Sequence, residues 1–109
     1  MKVYHDGGGG ITDISKEHFA KHAKQIEPLE VNISRNGPFS FQLYGIDKVS
    51  RNAVAILESG FNCGYGGDGP HGSAWALEQL GCDHVLATTV FARKSVFINF
   101  RGTTPQLDE

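Results

Sequence analysis

The sequence predicts a single small α+β domain, an antiparallel sheet with a central hairpin packed against two or three helices. Three observations carry this. Leu29, Val31 and Ile33 alternate with Glu30, Asn32 and Ser34, and beyond Asn36-Gly37 the residues Phe39, Phe41 and Leu43 alternate with Ser40 and Gln42, the period of two half-buried strands. Phe19, Ala23 and Ile26 recur at helical spacing, with Lys16, Lys21 and Lys24 on the wet side. Pro70 and Gly81 bracket a stretch bearing Ala and Leu, at the positions where helices begin and end.

Taken in order, Lys2 to His5 reads as a short strand that ends at Asp6 and the four glycines Gly7 to Gly10, a turn or flexible loop. Asp13 or Ser15 is placed to cap a helix running to about Ile26, which Pro28 stops. In the hairpin, Asn36-Gly37 favours positive φ, and Pro38 directly after it predicts a loop slightly longer than two residues. Asp47 to Glu58 fits either period; a strand over Ala53 to Leu57, ending near Glu58, is the better fit. The second helix spans Pro70 to Leu80. Val85 to Phe91 also allows both periods, and Thr88, Thr89 and Val90 tilt it towards extended structure. Val96 to Phe100 reads as a strand and the polar tail 102–109 as loose chain, while Trp75 and the strand phenylalanines, Phe97 among them, are assigned to the core.

Composition bounds the function. The 109 residues fit one domain with a continuous core. A net charge of −2 with interleaved signs offers no basic stripe for a nucleic-acid backbone, so no DNA or RNA partner is predicted. No apolar run approaches the roughly 18 residues that span a bilayer, and the opening MKVYHDGGGG has no secretory core. A cytoplasmic protein without membrane contact is the expectation. Cys63 and Cys82 lack Cys-x-x-Cys spacing and read as reduced packing residues, the reactive alternative being a thiolate paired with His84 or His71.

The segment Gly64 to Gly72, leading into Ser73 and the second helix, is the best candidate for function. Glycines let a backbone approach a ligand closely, and a helix start presents unpaired N–H groups with partial positive charge, so the two together suit a phosphate or carboxylate. The expected donors are amides near His71, Gly72 and Ser73 and the Ser73 hydroxyl, with Gly66, Gly67 and Gly69 shaping the loop. Tyr65, flanked by glycines that offer no packing partner, is free to stack on a base or enter a partner protein. Arg93 and Arg101, near strand ends, are the expected cations. The opposing reading is structural: Asp68 can satisfy those donors itself and repel an anion. Neither G-x-x-x-x-G-K-[ST] nor the dinucleotide G-x-G-x-x-G spacing occurs in the segment.

Gly64-Tyr65-Gly66-Gly67-Asp68-Gly69-Pro70 and the helix after it resemble the Gly-Tyr-Gly-Gly-Ser-Gly-Pro loop and helix of an uncharacterised family of small bacterial and phage proteins, and Phe61 is similar to a Phe in that pattern. Asp68 replaces Ser, and His71-Gly72 stand where small or amide residues are usual. The resemblance implies a mobile-element setting and supplies no catalytic residues.

Elsewhere, His18 and His22 have the H-x-x-x-H spacing, but Phe19 stands where a zincin carries Glu, and no metal or other cofactor is predicted. No nucleophile with a base, nor a pair of carboxylates in a cleft, can be placed, so catalysis is unsupported. Two functions follow as expectations: a binding protein that sequesters a nucleotide or other phosphate-bearing signal through the loop, or a protein–protein module, such as a phage-encoded inhibitor of a host defence complex. The sequence ranks no oligomeric state.

Overall fold

The order of apolar residues folds into two layers, helices over one face of a six-stranded sheet. The structure, a computed structural model, describes residues 1–108. Strand β1 (Lys2–His5) leads through the glycine run into helix α1 (Thr12–His22) and a 3₁₀ turn. Strands β2 (Ile26–Ser34), β3 (Phe41–Asp47) and β4 (Ala53–Glu58) form an antiparallel meander. Helix α2 (Asp68–Gln79), the short α3 (His84–Ala87) with a 3₁₀ continuation, and strands β5 (Ser95–Asn99) and β6 (Gln106–Asp108) complete the chain.

The strand order is β1-β4-β3-β2-β5-β6. Every pairing is antiparallel except β1 with β4, which run parallel, Tyr4 opposite Ile56. One row crosses the whole sheet on its covered face: Tyr4, Ile56, Leu43, Val31, Ile98 and Leu107. Above it Phe19, Phe41 and Phe61 meet edge-on with centroids 5.3 to 6.0 Å apart, and Trp75 leans on Phe19. Full burial of such side chains contributes roughly 1.5–3 kcal/mol each.

The paired strands of the hairpin and β4 lie where the sequence places them, but the β2–β3 loop is longer than read, spanning residues 35–40 with Gly37 at φ 121°, so Phe39 falls outside the strand and Ser40 is buried. Five further expectations are corrected. Helix α1 starts after Ile11, with Ser15 buried inside it, and Ile26 opens β2 instead of closing the helix. Pro28 sits within β2 at a register irregularity, where its missing N–H is tolerated. Residues 84–91 are helical: Asp83 caps α3 by accepting from the Leu86 N–H at 2.8 Å, and Thr88 and Thr89 donate back to the carbonyls of Val85 and Leu86. The tail is not loose throughout, because Gln106–Asp108 pairs with β5 as an edge strand. Phe97 points away from the helices and is 46% exposed, because Val96 and Ile98 take the covered face.

Both cysteines are buried and unpaired, as read from their spacing. Burial pushes the Cys63 thiol up and the Cys82 thiol up to about 12, so neither is a ready nucleophile. Among the described residues no helix is long and apolar enough to cross a membrane.

Candidate functional site

The parallel pair positions the site. β1 and β4 end side by side, and each then passes through a glycine-bearing loop into a helix, residues 6–11 into α1 and residues 59–67 into α2. The first turns of both helices therefore come together beyond the carboxyl ends of parallel strands, the place where open α/β sheets hold ligands. A cleft of about 740 Å³ lies there, walled by Thr12, Asp13 and Lys16 on one side and by Tyr65, Asp68 and Gly69 on the other.

The two loops use their amides differently. In the first loop they are spent internally: Gly7 donates to His5 Nδ1, Gly8 to Asp6 Oδ1 and Gly10 to Ser59 Oγ, at 2.9 to 3.1 Å. Asp6 also accepts from Ser15 Oγ and from the amide and hydroxyl of Ser59, and Ser15 Oγ accepts from Gly60 N. One carboxylate thus ties the end of β1, helix α1 and the end of β4 together. Burial alone would raise the Asp6 pKa, but the hydrogen bonds from Ser15, Ser59 and Gly8 outweigh it and hold the carboxyl below its usual range. Asp6→Ala is expected to cost about 3 kcal/mol by denaturant unfolding. Because the folded pKa is depressed, Asp6 contributes stability above the unfolded value of 3.8 that is lost as pH falls through the folded one.

The helix starts are open by contrast. Ile11 and Gly67 occupy the N-cap positions, and neither helix has a side-chain cap. Thr12 and Asp13 in α1, and Asp68 and Gly69 in α2, hold first-turn N–H groups with no intrahelical carbonyl to bind. Pro70 has no N–H to add. The Asp68 carboxylate does not cap its own helix; like Asp13 it stands in a first turn, where the helix dipole favours a negative charge.

The expected site residues separate into three groups. Tyr65, Gly69 and His71 line the cleft. Gly72 and Ser73 do not serve as donors: α2 begins at Asp68, with Pro70 in its third position, so both lie inside the helix. Gly72 packs where a Cβ would stand 2.6 Å from Phe61 Cδ1, and Ser73 Oγ donates to the Asn62 carbonyl at 2.7 Å. The His71 amide likewise bonds to the Gly67 carbonyl. Gly66 is open to solvent, whereas Gly67 lies under the Tyr65 ring, where a Cβ would meet Cδ2 at 3.0 Å. Tyr65 is therefore not free of packing partners: its ring lies on the loop's own backbone, its surface 39% exposed. Arg101 is remote, pairing with Asp108 at 3.7 Å in a separate cavity over β2, β5 and β6. Arg93 lies beside the loop, its carbonyl against Gly64, but does not line the cleft.

Lys16, Thr12, Asp13, Ser59 and Asn62 were not legible as site residues, since only the β1–β4 pairing brings them to the loop. The Asn62 backbone N–H donates to the Gly69 carbonyl and its backbone carbonyl accepts from Ser73 Oγ, while its buried side-chain Oδ1 has no hydrogen-bond partner among the described residues.

Behind the cleft wall, Glu58 is fully buried and both its oxygens lie 2.8 Å from His18 Nδ1. Burial, with Asp6 adding repulsion, pushes the Glu58 carboxyl up to about 9, and burial with the neighbouring His22 lowers His18. The contact is therefore a neutral pair near pH 7, Glu58 donating its O–H to the ring nitrogen. The folded state keeps one proton on this pair, which the unfolded chain loses above pH 6.5, so stability is expected to fall from pH 6.5 to about 9 at up to roughly 1.4 kcal/mol per pH unit. Below pH 6.5 the unfolded chain carries that proton on His18 and the dependence weakens. Glu58→Gln should flatten the alkaline limb of Tm against pH; an unchanged slope would mean that Glu58 is ionised in the fold. The described residues hold no cluster of three metal-ligating side chains at His18 and His22 or elsewhere.

No protein-family model matches the chain, and no curated protein or solved structure matches it either.

Proposed function

We propose that this protein binds a phosphate-bearing small molecule, a nucleotide, in the cleft between the starts of α1 and α2. The observation that carries the reading is the convergence of two uncapped helix N-termini on one 740 Å³ cleft that also contains Lys16. Helix starts favour anions by up to about 1 kcal/mol each at exposed sites. The Thr12, Asp13, Asp68 and Gly69 amides hold the phosphate, Lys16 supplies the counter-charge, and the exposed edge of Tyr65 lines the wall beside the base. Asp13 and Asp68 disfavour a bare polyanion and suit the hydroxyls of a sugar. The resemblance of the Gly64–Pro70 loop to small bacterial and phage proteins supports sequestration of a nucleotide signal as the role.

A nucleotide that binds only the folded state raises Tm, with about 2.7 kcal/mol of stabilisation at a hundred times its Kd. A panel of nucleoside mono-, di- and cyclic phosphates in thermal unfolding should contain at least one that does so; no shift across the panel would count against the reading. A protein–protein module is the second reading, favoured by Ile11 and Ile14, 53% and 46% exposed beside the cleft. It predicts co-purification with a host protein and indifference to nucleotides.

A further inference from the structure

We propose that a groove beside the β2–β3 turn is a second anion subsite, and that the ligand is a small nucleotide with two phosphates, one held in the cleft and one in the groove. The inference rests on the cleft being a phosphate site. The groove, about 690 Å³, is lined by Ser34, Arg35, Asn36 and Lys94. Two cations and two neutral hydrogen-bonding side chains meet there without an acidic side chain in the lining. Two other exposed arginines are matched to acids, Arg51 to Glu27 at 2.9 Å and Arg101 to Asp108. Among the described residues Arg35 and Lys94 have no ion pair.

Arg35 joins the two cavities. Its guanidinium carbon lies 5.6 Å from the centroid of the Tyr65 ring, and Tyr65 walls the cleft. The turn is packed on the loop: Gly64, whose φ of 95° favours glycine, lies against the Arg35 side chain, where a Cβ would stand 3.3 Å from Cδ. The groove and the cleft are therefore neighbours, linked by the contact between Arg35 and Tyr65. Arg35 has the planar donor fork that suits a phosphate, and Lys94 adds a point charge. A nucleoside monophosphate reaches one cavity, whereas a nucleoside with a phosphate on each side of its sugar reaches both.

The test is calorimetric titration of the full chain with adenosine 5′-monophosphate and with adenosine 3′,5′-bisphosphate. The bisphosphate is expected to bind about tenfold more tightly, a difference near 1.4 kcal/mol. Lys94→Gln should remove most of that advantage while leaving monophosphate binding unchanged, and Arg35→Gln should remove it too. Equal affinities, or an advantage that survives both substitutions, would overturn the subsite and leave the cleft reading standing. Binding of neither compound would overturn both. Tighter binding of a short oligothymidylate than of the bisphosphate would overturn the small-ligand assignment in favour of a nucleic-acid strand.

Discussion

Gly60→Ala is expected to destabilise the fold by about 3 kcal/mol, the upper end of overpacking in a well-packed interior. A Cβ there would stand 2.6 Å from the carbonyl carbon and oxygen of Ile11 and from Ser15 Oγ. None of these has room to yield. The Ile11 oxygen accepts the Ser15 amide in the first turn of α1, Ser15 Oγ accepts from the Gly60 amide at 2.8 Å, and the Gly60 oxygen accepts from Thr12 Oγ1 at 2.9 Å. The extra methyl would push the start of α1 off the end of β4 and alter the cleft that Gly60 and α1 line. Urea unfolding measures the loss. Gly66→Ala is the control, because nothing lies within 4 Å of its Cβ position, and its effect should stay within about 0.5 kcal/mol. A Gly60→Ala protein as stable as the parent would show that α1 does not dock as described.

Lys16→Glu is expected to have the largest effect on binding, a loss of at least about tenfold in nucleotide affinity. Lys16 is the one lysine or arginine among the described residues that line the cleft, and its ammonium also lies 5.7 Å from the centre of the Trp75 ring. Reversing its charge beside Asp13 and Asp68 leaves three carboxylates around the anion, and like charges at such range disfavour binding strongly. The fold should survive, since a cation–π contact at a partly exposed site is worth only about 0.5–1 kcal/mol. Titration calorimetry on the parent and the variant, with Arg101→Gln as a remote control, separates the two effects. Undiminished affinity in Lys16→Glu would place the ligand elsewhere.

Much of the fold was readable because its signals are local. The alternation on both sides of Asn36-Gly37 needs no knowledge of the rest of the chain, and the same holds for the apolar run of β4. Failures came where a neighbour overrode a local preference. Thr88-Thr89-Val90 has β-branched character, yet Asp83 supplies a cap and the threonine hydroxyls bond back to the preceding turn, so the segment coils. Pro28 reads as a stop, but a register irregularity accommodates it within a strand. The Gly64–Gly69 loop was visible, while its partner wall was not. Thr12, Asp13 and Lys16 lie some fifty positions away in sequence and join it only because β1 adds to β4 in parallel, a pairing that four residues of β1 do not announce. The glycines themselves were half understood: Gly67 and Gly72 accommodate Tyr65 and Phe61, and the donors they were expected to expose belong to Asp68 and Gly69.

The most direct test of the cleft as the binding site is an amide-resolved NMR titration of the ¹⁵N-labelled protein with adenosine 5′-monophosphate. The resonances of Thr12, Asp13, Asp68 and Gly69 should move together to a single saturation point, while that of Gly8, already bound to Asp6 and outside the cleft lining, stays in place. Saturable shifts confined to the uncovered face of the sheet, or no saturable shift at the four helix-start amides, would contradict the account.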